Sequence, residues 1–440
     1  MITVHFRRGR ILIDGGELLL DGLDSSDEYP AYRYREIIER LESTGTSYVD
    51  KALIKTHLNL PQDETILRDY QKNALHEWRN HNCKGIVVLP TGAGKTVVAL
   101  KSMSVLRVST LIVVPTLVLV EQWRDILEKT FKVPIGVIGG GKEDVQPITV
   151  ATYDSASLRS RNLGNRFELI VFDEVHHLVA PSYRKIALRY LAPYRLGLTA
   201  TLQNDEATLD LFSELVGEVV YREGVDSLAG THLADYTVKT VRLPMTAKEK
   251  NEYDRQYEAY RGFLRRRGIR IRSSRDYLSF VRRSGRDPEA RRALLARNRA
   301  MDLALNSSTK IAYLKSLLQA NPKEKTLIFT SHNKLVYRLS KELLIPAITH
   351  QTPREEREQI LRYFHEGKYR RIVTSRVLDE GVDVPDASIG VIISGSGSNR
   401  QFIQRLGRIL RKVPGKQAVL FELVSEGTAE THISSRRKSG

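Results

Sequence analysis

The run Ile86-Val87-Val88-Leu89, the turn Pro90-Thr91-Gly92-Ala93-Gly94-Lys95-Thr96 and the following Val97-Val98-Ala99-Leu100-Lys101 leave few folds open to this chain. Four successive apolar residues predict a strand buried on both faces, and the residues behind the turn predict a helix. A strand, a glycine-bearing turn and a helix in that order read as a phosphate-binding loop. Gly92 and Gly94 let the backbone wrap a polyphosphate, and the helix aims its free N–H groups and positive dipole end at the same phosphates. Lys95 is placed to reach the β- and γ-phosphates and the Thr96 hydroxyl to ligate Mg²⁺, with Pro90, Thr91 and Ala93 completing the ATP contacts. Leu89 stands where the strict motif has its first glycine. A chance glycine turn is the bland alternative, and the rest of the chain decides between them.

From residue 60 to 230, short apolar runs alternate with helical ones: Leu111-Ile112-Val113-Val114, Ile148-Thr149-Val150, Leu169-Ile170-Val171-Phe172 and Leu196-Gly197-Leu198 follow the first. Runs apolar on both faces and joined by helices predict a parallel sheet covered on each side, with ligands at the carboxyl ends of its strands. The alternation resumes over 301–430 with Thr326–Phe329, Arg371–Thr374, Ile389–Ile393 and Ala418–Phe421, without a second phosphate loop. Residues 1–58 read as a small separate α+β module. Its β-like runs Arg10–Ile13 and Glu17–Leu20 flank Asp14-Gly15-Gly16, which has hairpin chemistry, and a helix from Pro30 carries Tyr34, Ile37, Ile38 and Leu41 on one face. Residues 431–440 read as a disordered basic tail.

The net charge of +17 predicts a polyanionic partner, and nucleic acid fits better than a membrane. The charge is concentrated: residues 248–300 hold 17 Lys and Arg against 7 Asp and Glu, while residues 1–58 hold eight against ten. Tyr253, Tyr257, Tyr260, Phe263, Tyr277 and Phe280 are interleaved with that charge. Either they form the small core of a solvated helical pair, or the stretch is a nucleic-acid contact in which Arg265, Arg266 and Arg267 meet DNA. No stretch approaches the roughly 20 apolar residues that span a bilayer, and the N-terminus lacks a signal-peptide layout, so a cytoplasmic location is expected. Cys83 is the only cysteine, which excludes an intrachain disulfide and a thiolate zinc site.

The run Leu169–Phe172 ends in Asp173-Glu174-Val175-His176, some 78 residues after Lys95. Hydrolysis of ATP needs a carboxylate beside the metal and a second group that orients the attacking water. Asp173 fits the first role and Glu174 the second; a generic acidic turn is the alternative.

Together these segments resemble a superfamily-two helicase of the DExH type from about residue 66 to 424, which implies two RecA-like parallel-sheet domains with ATP bound between them. Gln71 matches the glutamine that reads adenine in that superfamily. Pro115-Thr116 and Thr152-Tyr153 lie where its members grip the nucleic-acid backbone, and Thr199-Ala200-Thr201 matches the segment coupling the ATP site to the strand. In the second half Thr374-Ser375-Arg376 with Gly381-Val382-Asp383 resembles the next motif, and the run from Gln404 to Arg411 the last. The resemblance thereby assigns Gly381 and Asp383 to the nucleotide and Thr374 to DNA. Phosphoryl transfer gains roughly 10³-fold or more from a guanidinium supplied outside the phosphate loop, and Arg408 and Arg411, one helical turn apart with Gln404 in register, fit that donor. His176 is either a coupling residue that bonds Gln404 or a packed histidine.

In detail the chain resembles the XPB family in its short archaeal form: Asp-Glu-Val-His-His at 173–177, Leu-Gly-Leu-Thr-Ala-Thr at 196–201, an N-terminal module like a damage-recognition domain, and a basic helical insertion over 245–300 like the thumb. The family's Arg-Glu-Asp loop is replaced by Asn204-Asp205-Glu206, which keeps two acids and loses the arginine. The resemblance implies an ATP-driven DNA translocase and 3′–5′ helicase of nucleotide excision repair and transcription, a monomeric motor or heterodimer, with a structure-specific endonuclease as partner. An RNA-directed helicase and an ATP-gated clamp that positions a nuclease are the competing readings.

Overall fold

The computed structural model describes residues 1–15, 28–61, 64–202, 205–228, 235–375, 387–394 and 417–438. The chain divides into two compact units, Met1–Leu228 and Ala229–Gly440. The first is built on an eight-stranded sheet in the order Val219–Arg222, Lys84–Val88, Tyr194–Thr199, Leu169–Asp173, Thr110–Val114, Ile148–Thr152, Gly136–Gly139, Lys142–Glu143. All neighbours are parallel except the last pair. Leu169–Asp173, Thr110–Val114 and Ile148–Thr152 are buried at every residue, as unbroken apolar runs require when helices cover both faces. After Lys84–Val88 the chain skips two positions to Thr110–Val114, and the skipped places are filled later by Leu169–Asp173 and Tyr194–Thr199. That reversal of strand order opens a crevice at the carboxyl ends, and the turn at 90–96 lies there.

Arg195 lies inside this unit at 2% exposure. Its guanidinium donates to the carbonyl oxygens of Ala187, Tyr190, Ala192 and Leu215. Burial lowers its pKa to about 10, and four acceptors keep the charge tolerable.

The N-terminal module is a four-stranded sheet, Glu28–Pro30, Arg10–Asp14, Ile2–Arg7 and Tyr48–Asp50 in spatial order. A hairpin turns at Arg8-Gly9, both at positive φ, while Gly16 and Glu17–Leu20, the far side of the hairpin expected at Asp14-Gly15-Gly16, lie outside the described residues. A single 3₁₀ turn, Ala31–Arg33, precedes the helix Tyr34–Ser43, which buries Tyr34, Ile37 and Leu41. The module is not separate from the eight-stranded sheet. Its core includes Leu191, Ile54 N–H donates to Asn165 O at 2.9 Å, and Thr56 N–H donates to Glu168 Oε2 at 2.9 Å.

The second unit has a six-stranded, wholly parallel sheet in the order Asp235–Leu243, Gln417–Ser425, Ile389–Ile392, Thr326–Phe329, Arg371–Thr374, Ala347–Ile348. The strand Asp235–Leu243 precedes the basic helices, so this unit begins before the stretch 245–300 rather than at 301. Three helices follow, Ala247–Arg266, Ser274–Ser284 and Pro288–Leu305. Tyr260, Phe263 and Phe280 pack with Ala290 and Ala293, and Tyr253 stacks on Tyr257 with centroids 5.4 Å apart. The interleaved aromatics are therefore the helices' own core.

The expectation of a disordered tail over 431–440 is corrected: Glu430–Lys438 is a helix. A buried ion pair holds it. Lys310 and Glu430 are both fully buried, 2.6 Å apart, and Lys310 Nζ also donates to Ile393 O at 3.0 Å, while Glu430 accepts Ser425 N–H at 2.8 Å. Among the described residues no helix is long and apolar enough to cross a membrane. Removing one partner of such a pair strands a buried charge, so Lys310→Met is expected to cost about 3–5 kcal/mol of stability, and Lys310→Met with Glu430→Leu to recover most of it. Denaturant unfolding of the three proteins checks this.

Candidate active site

Four features of the first unit converge on the carboxyl ends of adjacent strands. Behind Lys84–Val88, Gly92 (φ +85°) and Gly94 (φ +80°) turn the chain into the helix Lys95–Leu106, with Gly94 as its N-cap. Val97 and Val98 N–H donate to Gly94 O, while the N–H groups of Lys95 and Thr96 at the very start of the helix are suited to a phosphate. Lys95 Nζ donates to Leu89 O at 3.3 Å, back across the loop. Glycine is required at 94 twice over: a Cβ there would stand 2.5 Å from Gln71 Nε2, and φ is left-handed.

Gln71 braces the loop from the helix Asp69–Asn80. Its Nε2 donates to Ala93 O at 2.9 Å and its Oε1 accepts Arg68 N–H at 3.0 Å, while the neighbouring Tyr70 hydroxyl donates to the same Ala93 O at 2.8 Å. Tyr70 belongs to the site on this geometry; in the sequence it is one more apolar helical residue.

Asp173 ends the strand Leu169–Asp173 and is 9% exposed. Burial pushes its carboxyl above the ordinary aspartate range, and the Trp123 indole N–H, which donates to Oδ2 at 2.9 Å, and the Lys95 charge pull it back. Trp123 is a second residue that motif reading missed, because nothing local marks a helix tryptophan as facing a carboxylate. Glu174 takes a left-handed conformation (φ +53°). Its Oε2 lies 3.4 Å from both His176 Nδ1 and Thr199 Oγ1, and His176 Nδ1 is 3.1 Å from Thr199 Oγ1. Thr199 in turn donates to Thr201 O at 2.8 Å. His176 is thus part-buried between the glutamate and the Thr199-Ala200-Thr201 segment, and Gln404, its expected partner, lies outside the described residues. The Tyr153 hydroxyl donates to Asp173 O at 3.1 Å, and burial, reinforced by Asp173 and Glu174, pushes its pKa well up.

Thr116 and Thr152 are N-caps of the helices Leu117–Phe131 and Tyr153–Leu163, accepting the N–H of Leu119 (3.4 Å) and Ser155 (3.2 Å). Each hydroxyl keeps its proton to donate. Pro115 directly precedes the first of these caps.

In the second unit, Thr374 is fully buried and its hydroxyl donates to Ser375 O at 3.2 Å. Arg265 is paired with Glu258, and Arg267 with Glu289 at 2.9 Å. Arg266 is exposed. Gly381, Asp383, Gln404, Arg408, Arg411 and Asn204 lie outside the described residues.

The Thr96 hydroxyl and the buried Asp173 carboxylate are hard oxygen donors of the kind Mg²⁺ takes, the Lys95 charge links the loop to that acid, and the glycine-bearing turn suits a polyphosphate. A phosphate cradle at the reversal of a parallel sheet, with an acid pair two strands away, defines a RecA-like nucleotide motor of superfamily two. The comparisons bear this out on both halves. Residues 64–204 match the family model "Type III restriction enzyme, res subunit", and residues 309–413 match "Helicase conserved C-terminal domain". The fold is similar to that of the Pyrococcus furiosus Hef helicase domain (TM-score 0.58, 21% identity, 86% of this chain and all of that one).

The DNA 3′-5′ translocase XPB2 of Sulfurisphaera tokodaii is 43% identical over the full length of both chains, and the DNA 3′-5′ helicase XPB of Mycobacterium tuberculosis is 31% identical over 87% of this chain and 64% of its own. The transcription and DNA repair factor IIH subunit XPB/SSL2 of Saccharomyces cerevisiae is 26% identical over 85% of this chain and 43% of its own. The chain belongs to the XPB family of DNA 3′-5′ helicases and translocases.

Because the cradle depends on backbone approach, Gly94→Ala is expected to weaken nucleotide binding by at least roughly tenfold, about 1.4 kcal/mol. Titration with a fluorescent ATP analogue checks it, and the melting temperature shows that the variant is folded.

Proposed function

We propose that the chain is a DNA-dependent ATPase that moves 3′ to 5′ on DNA in nucleotide excision repair and transcription. The observation that carries this is the run of close contacts from Glu174 through His176 and Thr199 to Thr201, which places the proposed water-orienting carboxylate against the segment expected to sense the polymer. Lys95 withdraws charge from the β- and γ-phosphates. Glu174, held by His176 and Thr199, orients the water and takes its proton as the γ-phosphoryl group departs. Mg²⁺, when held by Thr96 and Asp173, neutralises charge on the phosphate oxygens. Arg408 and Arg411, with Gln404 beside them, are proposed as the guanidinium donors for the charge that develops there, with Gly381 and Asp383 near the nucleotide.

DNA is proposed to meet Pro115-Thr116 and Thr152 through helix-end N–H groups and hydroxyls, which position a backbone without reading sequence. The basic helices supply the second contact. With Arg265 and Arg267 engaged in ion pairs, the better candidates are Arg275, Arg282, Arg291 and Arg292, which are exposed and whose side chains have no ion-pair or hydrogen-bond partner among the described residues. Exposed Leu278 and Leu295 lie on the same two helices, three to four residues from these arginines. A structure-specific endonuclease is the proposed partner. Loss of the arginine at Asn204-Asp205-Glu206 supports a motor that positions another enzyme at a fork.

Lys95→Ala and Glu174→Gln are each expected to lower DNA-stimulated ATP turnover by roughly 10²-fold or more, with Glu174→Gln retaining nucleotide binding. Turnover measured with forked DNA, duplex, single strands and RNA side by side tests the substrate; equal stimulation by RNA would overturn the DNA assignment. Reversing Arg275 and Arg282 to Glu is expected to weaken DNA binding and flatten its salt dependence by about two units of slope, while turnover without DNA is kept.

A further inference from the structure

The helix Leu117–Phe131 starts at the N-cap Thr116, one of the proposed DNA contacts, and buries Val120, Trp123, Leu127 and Phe131 along one face. Trp123 lies seven residues beyond the cap, about 10 Å along the helix axis. It is 2% exposed, and its indole N–H donates to Asp173 Oδ2 at 2.9 Å. The strand that feeds this helix, Thr110–Val114, is the direct neighbour of the strand that ends in Asp173, with Val113 beside Phe172. One rigid element therefore carries a proposed polymer contact at its tip and holds the acid of the ATP site from its second turn.

We propose that Trp123 is a positioning residue that couples polymer binding at Pro115-Thr116 to the setting of the Asp173 carboxylate. The inference deepens the reading above and rests on its assignment of Asp173 to the nucleotide's cation. An indole N–H is a donor and nothing else, so the bond fixes which carboxylate oxygen faces the helix and thereby the plane of the group. A helix is stiff along its axis. A phosphodiester that draws on its first N–H groups moves the indole with it, and a shift of a few tenths of an ångström takes a 2.9 Å bond towards the edge of hydrogen-bonding range. Coupling of this kind is reciprocal, so occupation of the cation site changes polymer affinity by the same factor.

The contact is isolated enough to test. The chain has two tryptophans, and the other, Trp78, donates to Arg195 O, near the start of the strand Tyr194–Thr199 and away from the carboxyl ends. In the full chain, Trp123→Phe keeps most of the ring and deletes the donor. The expected result is a rise in half-saturating Mg²⁺ and a fall in the ratio of DNA-stimulated to unstimulated turnover, each by roughly fivefold, with binding of a fluorescent ADP analogue in EDTA unchanged. In Trp78→Phe, which leaves Trp123 as the sole indole, emission is expected to change on addition of Mg²⁺ with ADP and again on addition of an oligonucleotide duplex. A folded Trp123→Phe protein with wild-type Mg²⁺ dependence and wild-type stimulation overturns the coupling and leaves Trp123 a packing residue. Should Trp123→Phe not fold, emission in Trp78→Phe that ignores DNA overturns it equally. Asp173→Asn with full turnover would instead remove the cation assignment, and the coupling with it.

Discussion

Taking a carboxylate out of water is costly unless donors replace the lost hydration, and Asp173 imposes that requirement on the whole first unit. It closes a strand buried at every residue, beside Thr110–Val114 and Tyr194–Thr199. The donors come from different directions: an indole from the helix behind the neighbouring strand, and the Lys95 charge from the phosphate loop. A cation between loop and acid would complete the set. In this sense the ATP site is the place where an otherwise apolar sheet is left electrostatically unfinished.

Glu174 is held differently. A left-handed backbone lifts it out of the strand, and its oxygen is met by His176 and Thr199 rather than by the loop. One acid thus answers to the indole and to the lysine of the phosphate loop, and the next to the segment expected to respond to DNA. Adjacent residues with separate supports suit a motor, because hydrolysis can be held back until the second support is in place without loss of nucleotide binding.

The phosphate loop, the acid pair, the buried strands and the division into two sheets could be read from residue order, because each depends on a local run: four apolar residues, a glycine pair, a charged strand end. What escaped depends on partners distant in sequence. Trp123 is fifty residues from the carboxylate it holds. Arg195 looks like a surface residue until four carbonyls are seen around it. Asp235–Leu243 alternates in character because it is an edge strand with one wet face, so it lacks the unbroken apolar signature of its neighbours. The C-terminal helix reads as a charged tail because nothing in the sequence shows that its anchor, Glu430, is buried against Lys310. The basic stretch was legible in charge, while the division of its arginines into paired and solvent-facing groups was not.

The pairing of Asp235–Leu243 with Gln417–Ser425 runs over nine residues, and contacts such as Thr240 to Glu422 span 182 positions. On a ribosome the first unit has all of its strands by Leu228 and is free to fold as synthesis continues. The second must wait for Gln417–Ser425 before its edge strand, and the base of the helices that follow it, have anything to dock on. Between the emergence of Leu228 and that of Gln417–Ser425 the nascent chain is therefore a complete first sheet trailing an unfinished basic unit, whose arginines are exposed before the sheet that will carry them exists.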